Sequence, residues 1–265
     1  MFMRSAITIG FSAAMLLGAL AGASANECPG NPNAIGTSRV ITVKPKDYPL
    51  VGSLQYQESV PLKKQEVVLT FDDGPVPPYT NTILDILAAE CVKATFFTLG
   101  VNVAESPDLV RRAHKEGHSI GTHTFSHPHL DKLTLDEAKK EIDLGIAVAT
   151  EALGNADDVA PFFRAPFLDI NTPIERHLVS RGLMVWSIDI DTEDWTFITE
   201  ERLIELTMKR LEQEGKGILL LHDSMPVTAR ALPMLLAELK RKNFRIVHVV
   251  PAPRQPAKTT NLERR

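Results

Sequence analysis

Residues 67–75 read VVLTFDDGP, Val67 to Pro75. The apolar run has the length and composition of a buried strand. It ends in two adjacent carboxylates, Asp72 and Asp73, followed by Gly74 and Pro75. Like charges side by side repel, so a compensating cation is expected nearby. Asp-Gly-Pro taken alone is also an ordinary turn sequence. The rest of the chain has to choose between these readings.

Six further apolar runs follow: KATFFTLG, HSIGTHT, PFFRAP, LMVWSIDI, GILLLH and FRIVHVV. Between them lie longer segments with helical period. Helix signals punctuate them. Thr134 with Glu137 forms a capping-box pattern and Gly154 a stop, while Thr172, Pro173 and Glu175 read as cap, first-turn proline and box acid. Gly117 and Gly182 end two more helices. Alternating strands and helices imply a parallel sheet. Periodicity alone leaves open whether seven strands close into a barrel or form an open doubly wound sheet.

Outside residues 66–250 the character changes. Residues 1–25 read as a signal peptide: Arg4, then the apolar AITIGFSAAMLLGALAGA, then the small-residue site Ala23–Ala25. An uncleaved anchor is the alternative, without a charged flank to stop transfer. Residues 26–65 are rich in Pro, Gly and polar residues, and read as an N-terminal extension packed on the domain, with one strand in SRVITV. Residues 251–265 read as a disordered tail. Export, to periplasm or medium, permits a disulfide between Cys28 and Cys91. Cys91 also suits a small buried apolar role, and both readings stand. Of 265 residues 44% are hydrophobic and the formal charge is −4, so the overall balance points to neither nucleic acid nor an acidic membrane surface.

The unusual polar residues segregate. Asp72 and Asp73 follow the first run, and His123 with His127 closes the third. Arg164 closes the fourth, Asp191, Asp194 and Trp195 follow the fifth, and His222 with Asp223 closes the sixth. All sit at C-terminal strand ends, the edge that carries the site in parallel α/β folds. His123 and His127 share a face if their segment turns helically. A carboxylate and two imidazoles make a three-ligand zinc set with one open position.

TFDDGP, HTFSH, RAPF, DTEDW and LLH, in this order, resemble the five motifs of the polysaccharide deacetylases, a family that includes chitooligosaccharide and peptidoglycan deacetylases. The resemblance spans about residues 66–250. It implies a distorted (β/α) barrel of about seven parallel strands, one divalent metal and removal of acetyl groups from N-acetylated glycans. Zinc is the expected metal, with cobalt, manganese and nickel sharing the same ligands. It also implies roles: Asp73, His123 and His127 as metal ligands, Asp72 as general base and Arg164 as its orienting partner. His222 matches the acid that protonates the leaving amine, and Asp194 the aspartate that orients it. Asp191 is expected to hold its loop. Trp195, Phe167, Pro166 and Leu220 are expected at the substrate. The family often has Tyr where this chain has Phe167, and the role carried over there is a backbone N–H toward the oxyanion.

Trp186 reads as core, His114 and His177 as solvated helix faces, and His118 and His248 as structural. His129, in HPH, stands close enough to the site for a substrate or secondary contact. An O-acetyl esterase acting on xylan, and a non-catalytic glycan-binding module, are the rival functions. Retention of both Asp72 and His222 speaks against the second.

Overall fold

The computed structural model describes residues 28–253. The expected signal peptide lies outside them, as does most of the expected tail. The elements run β1 (Thr37–Val43), β2 (Leu50–Val51), β3 (Glu66–Asp72), α1 (Tyr79–Ala89), β4 (Thr95–Thr98), α2 (Gly100–Glu105), α3 (Pro107–Lys115) and β5 (Ser119–Thr122). They continue with α4 (Leu135–Leu153), β6 (Val159–Phe163), α5 (Thr172–Ser180), β7 (Met184–Trp186), β8 (Ile190–Asp191), α6 (Glu200–Glu214), β9 (Gly217–His222), α7 (Pro226–Arg241) and β10 (Arg245–Pro251).

Every strand pairing is parallel. β3, β4, β5, β6 and β7 follow one another, and β9 flanks β3 on its other side and pairs β8. β7 and β8 belong to one run of chain. That run therefore joins β6 to β9 and closes the sheet. The run LMVWSIDI, expected as one strand, is broken at Ser187–Asp189 because its backbone is engaged elsewhere. The Ser187 N–H donates to Val51 O and the Asp189 N–H to Ile218 O. β10 pairs with β3 over a short ladder, Arg245↔Glu66 and Ile246↔Val67, and carries β1 on its far side. The result is a distorted (β/α) barrel.

Side-chain alternation along the strands sorts the core into two layers. Val67, Leu69 and Phe71 pack with helix residues such as Leu84, Leu87, Leu235 and Leu236. Val68, Phe97, Phe162, Trp186, Ile218 and Val247 fill the interior. The interior columns continue upward by steps of two: Val68–Thr70–Asp72, Phe162–Arg164 and Ile218–Leu220–His222. Each ends in a polar residue at the C-terminal rim. Gly121 precedes His123 in the same way, and a Cβ on it would meet Phe97 at 2.9 Å. Trp186 is core, as expected.

The extension contributes two strands where one was expected. β1 runs beside β10, β2 beside β7, and Val43, Val51, Val60 and Leu62 enter the interior cluster. Pro251, assigned to the tail, is the last residue of β10, and Ala252 N–H still donates to Val43 O. The capping box at Thr134 and Glu137 forms, and Gly154 ends α4 at φ 77°. The cap of α5 is Asn171 rather than Thr172: its side chain accepts from the Ile174 N–H, and Thr172 becomes the first helical residue. Asn is the stronger cap of the two. His118 and His248 are buried at the opposite end from the rim residues. Burial lowers His118 to about 3 and His248 to about 4, and His118 Nδ1 accepts from the Ala94 N–H.

Cys28 and Cys91 are joined, which decides between the two cysteine readings. The bridge ties the start of the extension to the turn after α1 across a sequence separation of 63 residues. Closing a loop of that length in the unfolded chain is worth about 4 kcal/mol on the chain-entropy model. A Cys28→Ser, Cys91→Ser variant should unfold in urea with stability lower by about that amount; equal midpoints and slopes would contradict it.

Candidate metal centre and active site

Asp73 is the first residue beyond β3 and has a left-handed backbone, φ 73°. The turn that holds it is packed without slack. Asp223 Oδ1 accepts the Gly74 N–H at 2.9 Å, and Thr80 Oγ1 donates to Asp223 Oδ2 at 2.7 Å. A Cβ on Gly74 would lie 1.8 Å from Asp223 Oδ2, so only glycine fits there. Asn102 Nδ2 donates to Asp73 O at 2.7 Å. Asp223 is fully buried, and burial raises its carboxyl to about 7 against the hydrogen bond from Thr80.

The histidine pair meets by a route other than the expected helical turn. Residues 123–127 form a loop in which Thr124 and His127 have φ 67° and 64°. That fold-back puts the two imidazole centroids 5.0 Å apart. Glu141 of α4 anchors the loop by accepting from the N–H groups of Phe125 and Ser126 and from Ser126 Oγ. Gly145 of α4 lets the helix approach, since a Cβ there would meet Thr124 O at 2.7 Å.

Asp73 Oδ1 lies 3.2 Å from His127 Nε2 and 3.5 Å from His123 Nε2. Tetrahedral bonds of 2.0–2.1 Å place ligand atoms about 3.3 Å apart, so the spacing suits a tetrahedral divalent cation. His123 Nδ1 donates to Arg164 O at 2.8 Å. This assigns its proton to Nδ1 and leaves the Nε2 lone pair toward Asp73. Burial holds His123 below its usual pKa despite the carboxylates beside it, which keeps it neutral as a ligand must be. Asp73 Oδ1 is buried and has no hydrogen-bond donor. A carboxylate oxygen and two imidazole nitrogens converging on one point, with that oxygen unsatisfied, fit a divalent cation.

On the interior side, Asp72 Oδ1 accepts from Arg164 Nη1 at 2.7 Å. The same guanidinium donates to Thr70 Oγ1 at 2.8 Å and to Ser187 O at 3.1 Å, and lies 4.3 Å over the Phe97 ring. Arg164 has no exposure at all, so its pair with Asp72 is a buried one. Asp72 Oδ2 is 4.0 Å from His123 Nε2.

Asp72 and His222 are register partners in the β3–β9 ladder, which fixes the two side by side. Asp194 Oδ1 accepts from His222 Nδ1 at 2.7 Å, and Asp194 Oδ2 accepts from the His222 N–H at 2.7 Å and from Thr228 Oγ1. Burial lowers the His222 pKa, but Asp194, Asp72 and Asp73 outweigh it and raise it to about 9.

These groups open into one cleft of about 400 Å³, lined by both aspartates, the three histidines, Ala165, Phe167, Leu168, Asp191, Trp195 and Leu220. Trp195 and Phe167 are more than half exposed along it. Pro166, expected at the substrate, is buried and does not line the cleft. The left-handed residues Phe167 and Leu168 turn the chain so that Pro166 faces inward and Ala165 and Leu168 take its place. Asp191 does hold its loop, accepting from the Glu193 N–H at 2.8 Å, and also lines the cleft. Sequence reasoning marked Asp223 at the rim without a role and missed Thr228, Glu141 and Asn102. Their only signal in the chain is chemical type; each acts through a contact distant in sequence.

A family model described as polysaccharide deacetylase matches residues 59–186. A peptidoglycan-N-acetylglucosamine deacetylase of Bacillus cereus is 36% identical over 199 residues, 72% of this chain and 70% of that protein. A chitooligosaccharide deacetylase of Bradyrhizobium is 32% identical over 203 residues, 71% of this chain and 90% of that protein. Among solved structures, a peptidoglycan deacetylase of Bdellovibrio bacteriovorus aligns with a TM-score of 0.74 at 28% identity, over 83% of this chain and 61% of that one. The chain belongs to the polysaccharide deacetylase family.

Zinc binding by competition with a chromophoric chelator tests the centre directly. Asp73→Asn and His123→Ala should each weaken affinity by more than about 100-fold, beyond the usual loss for an outer-shell change. Wild-type affinity in either variant would remove the residue from the ligand set.

Proposed function

We propose that the protein is an exported, divalent-metal-dependent deacetylase of N-acetylglucosamine-containing glycans. One observation carries this reading: a carboxylate held by a buried arginine and a histidine of high proton affinity stand on paired strands beside one metal-ligand set. The named relatives act on peptidoglycan N-acetylglucosamine and chitooligosaccharides, which supports the substrate class. The Cys28–Cys91 bridge and the Ala23–Ala25 site support export.

Asp73, His123 and His127 would hold the cation, and zinc suits them best. Bound there, it would supply Lewis acidity toward the acetyl carbonyl and bring the pKa of a coordinated water to about 7. Asp72 accepts the proton of the water that attacks the acetyl carbon. Arg164 holds one oxygen of Asp72 and so fixes the direction of the free one. The Phe167 backbone N–H donates to the developing oxyanion. His222 gives its proton to the amide nitrogen as the carbon–nitrogen bond breaks. Acetate and a free amine result, with one proton taken by Asp72 and one given by His222. Asp194 orients His222 through Nδ1, so that Nε2 carries the transferred proton. Trp195, Phe167 and Leu220 wall the sugar.

An amine leaves only when protonated, whereas an ester alkoxide needs that help less. The high pKa of His222 therefore favours amide over ester substrates. Acetate release from chitooligosaccharides, peptidoglycan and acetylated xylan, with zinc and with chelator, tests the reading. Chelator-sensitive acetate from an N-acetylated glycan is expected. No acetate from any of the three, with zinc bound, would overturn it.

Asp72→Asn should keep zinc affinity and lose about 10²–10⁴ in kcat, the usual worth of a general base; full turnover would dismiss Asp72 from that role. His222 must be protonated to act as acid, so kcat/KM should fall as pH rises through about 9. Asp194→Asn removes the leading charge that raises this pKa. Its alkaline limb should move to lower pH, and an unmoved limb would separate Asp194 from His222.

A further inference from the structure

His129 is not among the cleft-lining residues, yet it packs on one that is. Its ring stacks on Phe167 with centroids 3.9 Å apart and planes 10° from parallel. The Phe167 and His127 rings in turn meet edge to face, centroids 4.5 Å apart at 67°. His129 Nδ1 is 2.6 Å from Asp169 Oδ2. The order is thus Asp169, His129, Phe167 and then a metal ligand.

The geometry matters because of the backbone it restrains. Phe167 and Leu168 are consecutive left-handed residues, φ 57° and 60°. Non-glycine residues take up this region only when something outside them imposes it. Short local bonds run from Leu168 N–H to Ala165 O and from Asp169 N–H to Pro166 O, and Gln55 Nε2 donates to Leu168 O at 2.8 Å. None of these touches the Phe167 ring, which is 54% exposed. His129 is anchored independently: its neighbour Leu130 is fully buried, and His129 O accepts the Lys132 N–H. One face of the Phe167 ring is therefore backed by the loop after β5, although the ring itself belongs to the loop after β6.

We infer that His129 and Asp169 are positioning residues that hold the Phe167 ring as the fixed aromatic wall of the sugar site, beside His127. Asp169 sets the plane of the His129 imidazole through Nδ1, and the imidazole sets the plane of the phenyl ring. This rests on the deacetylase reading for the identity of the sugar, but not for the geometry. His129 and Asp169 are both partly exposed, with side-chain exposures of 49% and 42%, so neither is a core residue whose loss would unfold the protein.

Two readouts test it on the zinc-loaded protein. The first is kinetic, on an N-acetylglucosamine oligosaccharide. His129→Ala should raise KM by about two- to tenfold, the size of one lost aromatic contact, with kcat and zinc affinity little changed. Phe167→Ala should raise KM by a similar factor with zinc affinity little changed, and the double variant should raise KM no further than Phe167→Ala alone, because His129 acts through Phe167. His129→Phe keeps the stacked ring and should restore most of the KM. Effects that multiply in the double variant, or an unchanged KM in His129→Ala, would overturn the inference.

The second readout needs no activity: the proton shifts of the His127 imidazole, which lie in the ring current of Phe167. His129→Ala should move them, and His129→Phe should leave them near wild type. Unmoved shifts in His129→Ala would overturn the positioning role. No acetate from the wild-type protein, with the shifts still moving in His129→Ala and staying in place in His129→Phe, would instead fail the deacetylase reading and leave the stack standing.

Discussion

The buried pair between Arg164 and Asp72 is the constraint on which the rest of the site depends. Both side chains are buried, at 0% and 3% exposure. A charge buried this way must be matched, and removing one partner of such a pair typically costs about 3–5 kcal/mol. Arg164 meets the demand from four sides: a carboxylate, a hydroxyl, a backbone carbonyl and the face of Phe97. Its own carbonyl meanwhile fixes the tautomer of His123. One residue at the end of β6 thus orients the candidate base through its side chain and a candidate ligand through its backbone.

The same low-polarity rim moves two histidines in opposite directions. His123, fully buried and facing carboxylates across its Nε2, is held below its usual pKa because burial outweighs them. His222, clasped by Asp194 at Nδ1, is held well above it. The difference lies in a direct hydrogen bond to a carboxylate rather than in burial, which both residues share. Pushing the proton affinities of neighbouring groups apart is how one site can hold a neutral ligand and an acid at the same pH.

Much of the fold was legible because parallel strands buried on both faces leave continuous apolar runs, and because caps and stops are written locally. Thr134 with Glu137 forms the capping box that its spacing predicts for that reason. The errors came where distant contacts overrode local pattern. The strand LMVWSIDI is broken because Val51 and Ile218 take its backbone bonds. The pair His123 and His127 is assembled by two left-handed residues and by Glu141, although i, i+4 spacing suggested a helical turn. Pro166 is turned inward by the left-handed backbone at Phe167 and Leu168. The extension, polar in composition, nonetheless adds β1 and β2 to the sheet.

The sequence by itself determined the class of architecture and the chemical identity of the site, since polar residues at the ends of apolar runs must gather at one edge of a parallel sheet. It also named a candidate ligand set and two candidate proton-handling groups, through motifs that resemble a known family. Tertiary structure alone decided which groups support them: Asp223 beneath Gly74, Thr228 behind Asp194, Glu141 under the histidine loop and His129 behind Phe167. It likewise decided that the two cysteines pair. Each of these depends on which loops meet across the barrel rim, and that is set by strand register and sheet closure, which local periodicity does not encode.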